Sequence, residues 1–188
     1  MCSRYFIRDD NGGWLDVRPR DEAEVWIRGS GRGFLRTRMR WGYPAGEARS
    51  LIFNARAESA GEKVMFRDSL SGRRCVVKAA GFYEWNRAKE KAVFTRQPEK
   101  NGEEKNRAGN AMYLAGLYQW FGEEYCFVIL TTEANESMRP VHDRMPLVLG
   151  KEEAERWLAD GDAYQEILAC VPEELSRPME YEQQRFVF

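Results

Sequence analysis

The stretch AMYLAGLYQWFGEEYCFVILTT, residues 111–132, holds two strand-like runs, AMYLAGLYQW and EYCFVILTT, joined by a short FGE turn. That is the pattern of a β-hairpin. Upstream, CVVKAAGFYEW at 75–85 and AVFTRQ at 92–97 also read as strands. Between Gln97 and Asn110 the chain reads QPEKNGEEKNRAGN, polar and almost free of apolar residues, which predicts a long exposed hairpin loop. LIFNARAE at 51–58 reads as a strand running into a helix over about Ala57 to Leu70, which SGRR then ends. AEVWIR, Ala23 to Arg28, alternates as a strand does, and GFLRTRMRW follows after the turn-like GSGRG. Its alternation puts Phe34, Arg36, Arg38 and Arg40 on one face and Leu35, Thr37, Met39 and Trp41 on the other.

Downstream, RMPLVLG at 144–150 is a further strand and KEEAERWLAD a helix. Glu152 and Glu153 sit in that helix's first turn, where the helix dipole favours acids. A short helix covers about Asp162 to Leu168, and a charged tail begins at Pro172. Many strands with few, irregularly spaced helices argue for one α+β domain over residues 1–188 with a mostly antiparallel core.

Composition narrows the chemistry. Hydrophobic residues make up 43% of 188, enough for a sizeable core and against wholesale disorder. Lys plus Arg is 29 against 30 for Asp plus Glu, so any nucleic-acid site must come from local placement of basic residues. There are 4 Cys and 1 His. Cys2, Cys75, Cys126 and Cys170 form no CxxC half-site, and a His-rich metal site is impossible. Cys75 and Cys126 lie in apolar strand-like runs, where a buried free thiol in a reduced cytosol is expected rather than a disulfide. The N-terminus MCSRYFIRDD lacks an apolar signal core, and runs such as CFVIL are far shorter than the about 20 residues that span a bilayer. The expectation is a cytoplasmic protein without a membrane partner.

Five places carry candidate chemistry. Removal of Met1 would expose the α-amine and thiol of Cys2, two nucleophiles on adjacent carbons. The amine has a pKa of about 7.7–8.0, so roughly a tenth is neutral at pH 7. The pair suits an aldehyde: the amine forms a Schiff base and the thiol closes a five-membered thiazolidine. Taken alone, a Cys at position 2 is more simply accidental. Glu84, in GFYEW, shares a strand face with Phe82, while Tyr83 and Trp85 share the other. A carboxylate beside aromatics suits acid/base work, and the plain alternative is a strand-end Glu reaching solvent or an arginine. His142, in RPVHDRMP, is flanked by Arg139 and Arg144, which fits an anionic substrate, although a lone His is often structural. Asn54 and Arg56 alternate onto one face with Glu58; a surface pair between Arg56 and Glu58 is the plain reading. Trp41 beside an arginine-rich strand could stack on a base, yet singly it reads as core.

Together these motifs resemble the SRAP family (SOS response-associated peptidase), the abasic-site processing proteins that act on damaged single-stranded DNA. The matching elements are MCSR at Met1, DVRPRDEAEV from Asp16, RWGY at Arg40, NARAES at Asn54, GFYEW at Gly81, AGLY at Ala115, ILTTEAN at Ile129 and HDRMPLVL at His142. Each is weak; their ordered conjunction from residue 1 to about 160 is specific.

The resemblance implies a compact α+β domain with a bifurcated, barrel-like β core. It implies that Cys2, freed of Met1, forms a stable thiazolidine crosslink with the aldehyde of an abasic deoxyribose. Glu84 matches the family's catalytic Glu, His142 the residue that aids sugar opening, lyase chemistry or crosslink reversal, and Asn54 the residue that orients the terminus. Arg4, Arg56 and Arg144 match phosphate-holding positions, Trp41 an aromatic lining the DNA channel, and Thr131 a hydrogen-bonder near the lesion. A peptidase label in the family fits removal of residues before Cys2. No cofactor or metal is implied. The implied partner is single-stranded DNA carrying abasic sites, including at junctions with duplex, bound by a monomer that is nucleoid-associated when on DNA.

Departures are visible. Ser3 stands where the family has Gly, the stretch from Cys2 to DVRP is too short for the usual helix, and PAGEARS lacks the second Trp common after WGY. Two other readings of the same residues are an N-terminal-nucleophile amidohydrolase using Cys2 and a non-covalent single-strand binder. Under the DNA reading, arginines 36, 38, 40, 56, 139 and 144 are expected to line one DNA-facing groove.

Overall fold

The computed structural model describes residues 2–9, 11–30, 33–46, 50–97, 111–159, 161 and 164–177. Strands β1 (Arg4–Arg8), β2 (Trp14–Val17), β3 (Glu22–Arg28) and β4 (Phe34–Trp41) come first. A small hairpin, β5 (Tyr43–Ala45) and β6 (Ser50–Ile52), precedes β7 (Asn54–Arg56), a 3-10 turn at Ala57–Ser59 and helix α1 (Val64–Gly72). Next are β8 (Arg74–Ala79), β9 (Gly81–Trp85), β10 (Lys91–Arg96), β11 (Met112–Phe121) and β12 (Glu124–Glu133). β13 (Arg144–Pro146), β14 (Val148–Leu149), helices α2 (Lys151–Ala159) and α3 (Tyr164–Leu168), and β15 (Leu175–Ser176) follow.

The hairpin at 111–132 is the spine of the molecule. β11 and β12 pair from Gly116 opposite Ile129 to Phe121 opposite Glu124. Five strands then close a ring in the order β12-β4-β3-β8-β11 and back to β12. Every pairing in the ring is antiparallel except β4 with β12, where Trp41 lies opposite Phe127 in parallel. Past Trp41 the chain leaves the ring for the β5–β6 hairpin and returns to the same edge of β12 as β7. Gly42 makes that exit possible. Its φ is +114°, a region that L side chains rarely adopt, and a Cβ there would sit 2.5 Å from the Leu51 side chain.

A second sheet, β15-β10-β9-β1-β2, branches from the barrel. The branch is Ala80, so the run at 75–85 that reads as one strand is two: β8 in the barrel and β9 in the second sheet. Alternation fills both layers. Val25, Met39, Trp41, Val77, Leu114, Phe127 and Ile129 pack with Tyr5, Phe82 and Phe94 of the second sheet. The opposite face of the barrel wall, including Val76, Leu117, Val128 and Leu130, packs with Phe66 and Leu70 of α1 and Trp157 of α2. The fold is thus α+β with a bifurcated barrel core.

Several local expectations are corrected. The helix expected from Ala57 is a 3-10 turn, and α1 begins only at Val64. RMPLVLG splits at Leu147, with β13 pairing to β12 and β14 to β11. β1 and β2, absent from the sequence reading, form a hairpin around Asp9, whose carboxylate accepts the Gly13 N–H at 2.6 Å. Cys2, Cys75 and Cys126 are buried free thiols, but Cys170 is only half-buried. The short helix near 162 is described from Tyr164, and the tail contributes β15, paired with β10. Nearly all of the expected 97–110 loop and the tail beyond Arg177 lie outside the described residues. No helix among the described residues is long and apolar enough to cross a membrane.

Candidate active site

Cys2 enters just before β1 and is fully buried in the core shared by the barrel and the second sheet. Two elements far apart in sequence meet it. From the barrel edge, Asn54 opens β7 opposite Ile129 and donates its Nδ2–H to the Cys2 carbonyl oxygen at 2.8 Å. Asn54 Oδ1 is buried and takes no hydrogen bond among the described residues. From the second sheet, Glu84 on β9 is 4% exposed and shares its inward face with Phe82, as the alternation of GFYEW requires. Its Oε1 accepts the Trp85 backbone N–H at 3.2 Å.

Electrostatics tie these groups together. Burial pushes the Cys2 thiol up to about 12, and the negative charge of Glu84 pushes the same way. The thiol contacts the Arg4 carbonyl oxygen at 3.8 Å. Cys2 in this pocket is therefore held as S–H, not as thiolate. Tyr5, the next inward residue of β1, is also fully buried, and its hydroxyl has no partner among the described residues. Burial, then the neighbouring Cys2 and Cys75, raise it well above its ordinary value.

A second cluster lies at the far end of β12. Thr131 is opposite Arg56 on one side and Pro146 on the other. The Arg144 guanidinium, nearly buried, grips the Glu58 carboxylate with two hydrogen bonds of 2.7 and 2.9 Å and donates to the Thr131 carbonyl oxygen at 2.8 Å. Burial raises the Glu58 carboxyl, but the bonds and charge of Arg144, with the charge of Arg56, more than offset this and hold it below its ordinary value. His142 precedes β13 and is partly exposed. Its Nδ1 accepts the Arg144 backbone N–H at 2.9 Å and lies 2.8 Å from an Asp143 carboxylate oxygen. In the neutral ring that leaves the proton on Nε2; a proton on Nδ1 would turn to Asp143 instead. β7 carries one residue to each cluster, Asn54 and Arg56, two positions apart on one face.

The structure thus brings Cys2, Asn54 and Glu84 together, and groups Thr131, His142 and Arg144 in a second cluster. Other expected residues lie elsewhere. Trp41 is fully buried, stacked on Phe127, and donates its indole N–H to the Phe53 carbonyl oxygen at 2.8 Å. It has no face left for a base, so its expected place in a DNA channel is corrected to the core. Arg4 points to the opposite face of β1 from Tyr5, 3.6 Å from Asp16.

The single basic groove is also corrected. Arg40 lies opposite Cys126 and Arg56 opposite Thr131, an odd offset along β12. Arg36, Arg38 and Arg40 therefore face away from Arg56. They pair with Glu24, Glu22 and Glu124, and Arg139 pairs with Glu136.

Glu58 and Asp143, which set the geometry of Arg144 and His142, were missed by the sequence reading. Asp143 had a signal, since it adjoins the only His. Glu58 had a misleading one, because spacing paired it with Arg56.

Comparison with known proteins gives the same direction as the motifs. The family described as SOS response associated peptidase (SRAP) matches residues 1–184. The abasic site processing protein YoqW of Bacillus subtilis (strain 168) is 39% identical over 126 residues, which are 62% of this chain and 54% of that protein. The abasic site processing protein YobE of the same strain is 35% identical over 145 residues, 70% of this chain and 64% of that one. The chain spans about half the length of the curated relatives it matches. A solved structure from Bordetella bronchiseptica superposes with a TM-score of 0.70 at 22% identity, covering 93% of this chain and 97% of that one, a likeness of fold.

Proposed function

Because this chain belongs to the SOS response associated peptidase (SRAP) family, we propose that it processes abasic sites in single-stranded DNA by forming a covalent thiazolidine through Cys2. The observation that carries this reading is the bracket that Asn54 places on Cys2. One end of its amide donates to the Cys2 carbonyl oxygen at 2.8 Å, while the other end is a buried acceptor without a donor. In the sequence as written, Cys2 nitrogen is an amide to Met1. Hydrolysis of that bond, which consumes one water and releases methionine, leaves an α-amine whose N–H can fill the open acceptor. This self-processing step is the sense in which the peptidase label is proposed to apply.

The chemistry then runs in two stages. The neutral amine adds to the aldehyde carbon of the ring-opened deoxyribose, and the carbinolamine loses water to give a Schiff base. The Cys2 sulfur next adds to the imine carbon, its proton passes to the nitrogen, and the five-membered ring closes. The sum is protein plus aldehyde giving thiazolidine plus one water. Because burial and Glu84 keep the thiol protonated, sulfur attack needs a base to take the proton as the C–S bond forms. Glu84 is the proposed base, and earlier the proposed acid for loss of water. His142 is proposed to help open the sugar and to serve lyase chemistry or reversal. Arg56, Arg144 and Arg4 are proposed phosphate contacts, with Thr131 holding Arg144 in place. For Arg144 this means a phosphate exchanging with Glu58.

The test is a denaturing gel of Met1-processed protein with a single-stranded oligonucleotide carrying one abasic site. The expected result is a heat-stable shifted band that disappears with Cys2→Ala. A processed protein that gives no such band overturns the proposal.

A further inference from the structure

The outward face of the second sheet has no part in the pocket that holds Cys2. Register defines it. Arg4 pairs with Tyr83, Arg8 with Trp14, and Lys91 with Trp85, all on the face opposite Tyr5, Phe82 and Glu84. Phe6 lies on this face against Trp14 and Tyr83, with ring centroids 5.3 and 5.1 Å apart. It covers Gly81, where a Cβ would collide with its ring. Cations alternate with the rings: Arg8 lies 4.8 Å from the Trp14 ring, Lys91 5.2 Å from Tyr83, and Arg4 5.8 and 5.6 Å from Tyr83 and Trp85. Among the described residues, Asp16 is the one acid set among them. The helices α1 and α2 pack on the barrel. Trp14 is 60% exposed.

We infer that this face is a stacking platform for the single-stranded DNA that flanks the lesion, reaching along β1 and β2 to Trp14 and Arg8. The inference rests on the DNA reading proposed above and extends it to residues outside the covalent pocket. Its warrant is the chemistry of the face. Bases stack on aromatic rings and on guanidinium planes without regard to sequence, while interleaved cations follow the phosphates. The other exposed aromatic pair, Trp120 and Tyr125, sits beside Glu124 and Glu123 at the tip of the β11–β12 hairpin and lacks that charge complement. The short Asp9–Gly13 turn brings Trp14 back beside Arg8, so the strip is continuous from Trp85 to the sheet edge.

The probe is a fluorescent, undamaged oligothymidylate, read by anisotropy over a range of salt. Trp14→Ala should weaken binding about tenfold and Trp14→Phe should largely retain it. Arg8→Ala should lower the salt slope by about one. Crosslink yield at saturating abasic DNA should stay at the parent level in all three variants, and so should the thermal midpoint. Parent-like affinity and slope in Trp14→Ala and Arg8→Ala would overturn the platform. So would an effect of Trp14→Ala on self-association alone, by size exclusion, which would assign the face to a second copy of the chain. The probe has no aldehyde, so this outcome is independent of Cys2 chemistry. A missing crosslink beside Trp14-dependent binding would sink the proposed activity and leave the platform standing.

Discussion

Glu84 and Trp41 sit in equally buried positions and lead to opposite expectations. Glu84 is a buried carboxylate whose charge acts on the Cys2 thiol. Glu84→Gln keeps the shape and removes the charge and the base. Crosslinking in a single-turnover assay should slow by about a hundredfold, a typical worth of one acid/base group. Affinity for undamaged single strands should hold, and equal loss of both would assign Glu84 to folding. Trp41 instead fills the barrel wall between Phe127 and Phe53. Trp41→Ala should cost about 3–5 kcal/mol in urea denaturation, as large-to-small core changes do. A cost under about 1 kcal/mol would mean that the indole is not packed as described. Alternation in GFYEW puts Glu84 on one face with Phe82, and that face is buried; which way the face turns, and what the carboxylate does there, is not set by the alternation. Taken singly, Trp41 reads as core, and it is the family resemblance that places it in a DNA channel. The parallel pairing with Phe127, which seals it, is set by a strand more than eighty residues away.

Elements show where periodicity stops being informative. The central hairpin and β3–β4 follow their alternation because each has one face in the core. The β8–β9 run reads as one strand because nothing local at Ala80 announces that the chain changes sheets. The misplaced helix after β7 has a similar cause: Ala57 to Ser59 is helix-compatible, but Glu58 is drawn to Arg144 across the fold, and a tight turn delivers it. That contact predicts coupling between elements. A double-mutant cycle on Glu58 and Arg144 should give an interaction of about 1–2 kcal/mol at neutral pH. The Glu58 carboxyl is held below its ordinary value. Its contribution is therefore complete above the ordinary carboxylate range and is lost as pH falls through the lowered folded value. The coupling should fade in acid. A pH-independent cycle, or none at neutral pH, would contradict the pairing.

At the scale of the whole molecule, a near-neutral composition conceals a sorted one. Arg36, Arg38, Arg40, Arg139 and Arg144 are matched with acids, which the count of 29 against 30 permits but does not locate. The cysteines divide just as unevenly. Burial raises Cys126 to about 11 and Cys2 to about 12, with nearby carboxylates adding to both, and carries Cys75, Tyr5 and Tyr43 higher still. Raised folded values mean stability that is complete below the unfolded value near 9.0 and lost as pH climbs toward the folded values. The melting temperature should be level to about pH 9 and fall steeply to pH 11, each group contributing up to about 1.4 kcal/mol per pH unit. A level profile to pH 11 would contradict the buried thiols. Composition made Cys2 and His142 stand out as the scarce reagents, but no spacing could show that Asn54, fifty-two residues on, would hold the first of them. The most direct test of that arrangement is the intact mass of Met1-processed protein after incubation with abasic single-stranded DNA. The account predicts a species at the sum of the two masses less one water, stable without reductant and mapped to the Cys2 peptide. An adduct that appears only after borohydride trapping, or maps to another residue, would contradict it.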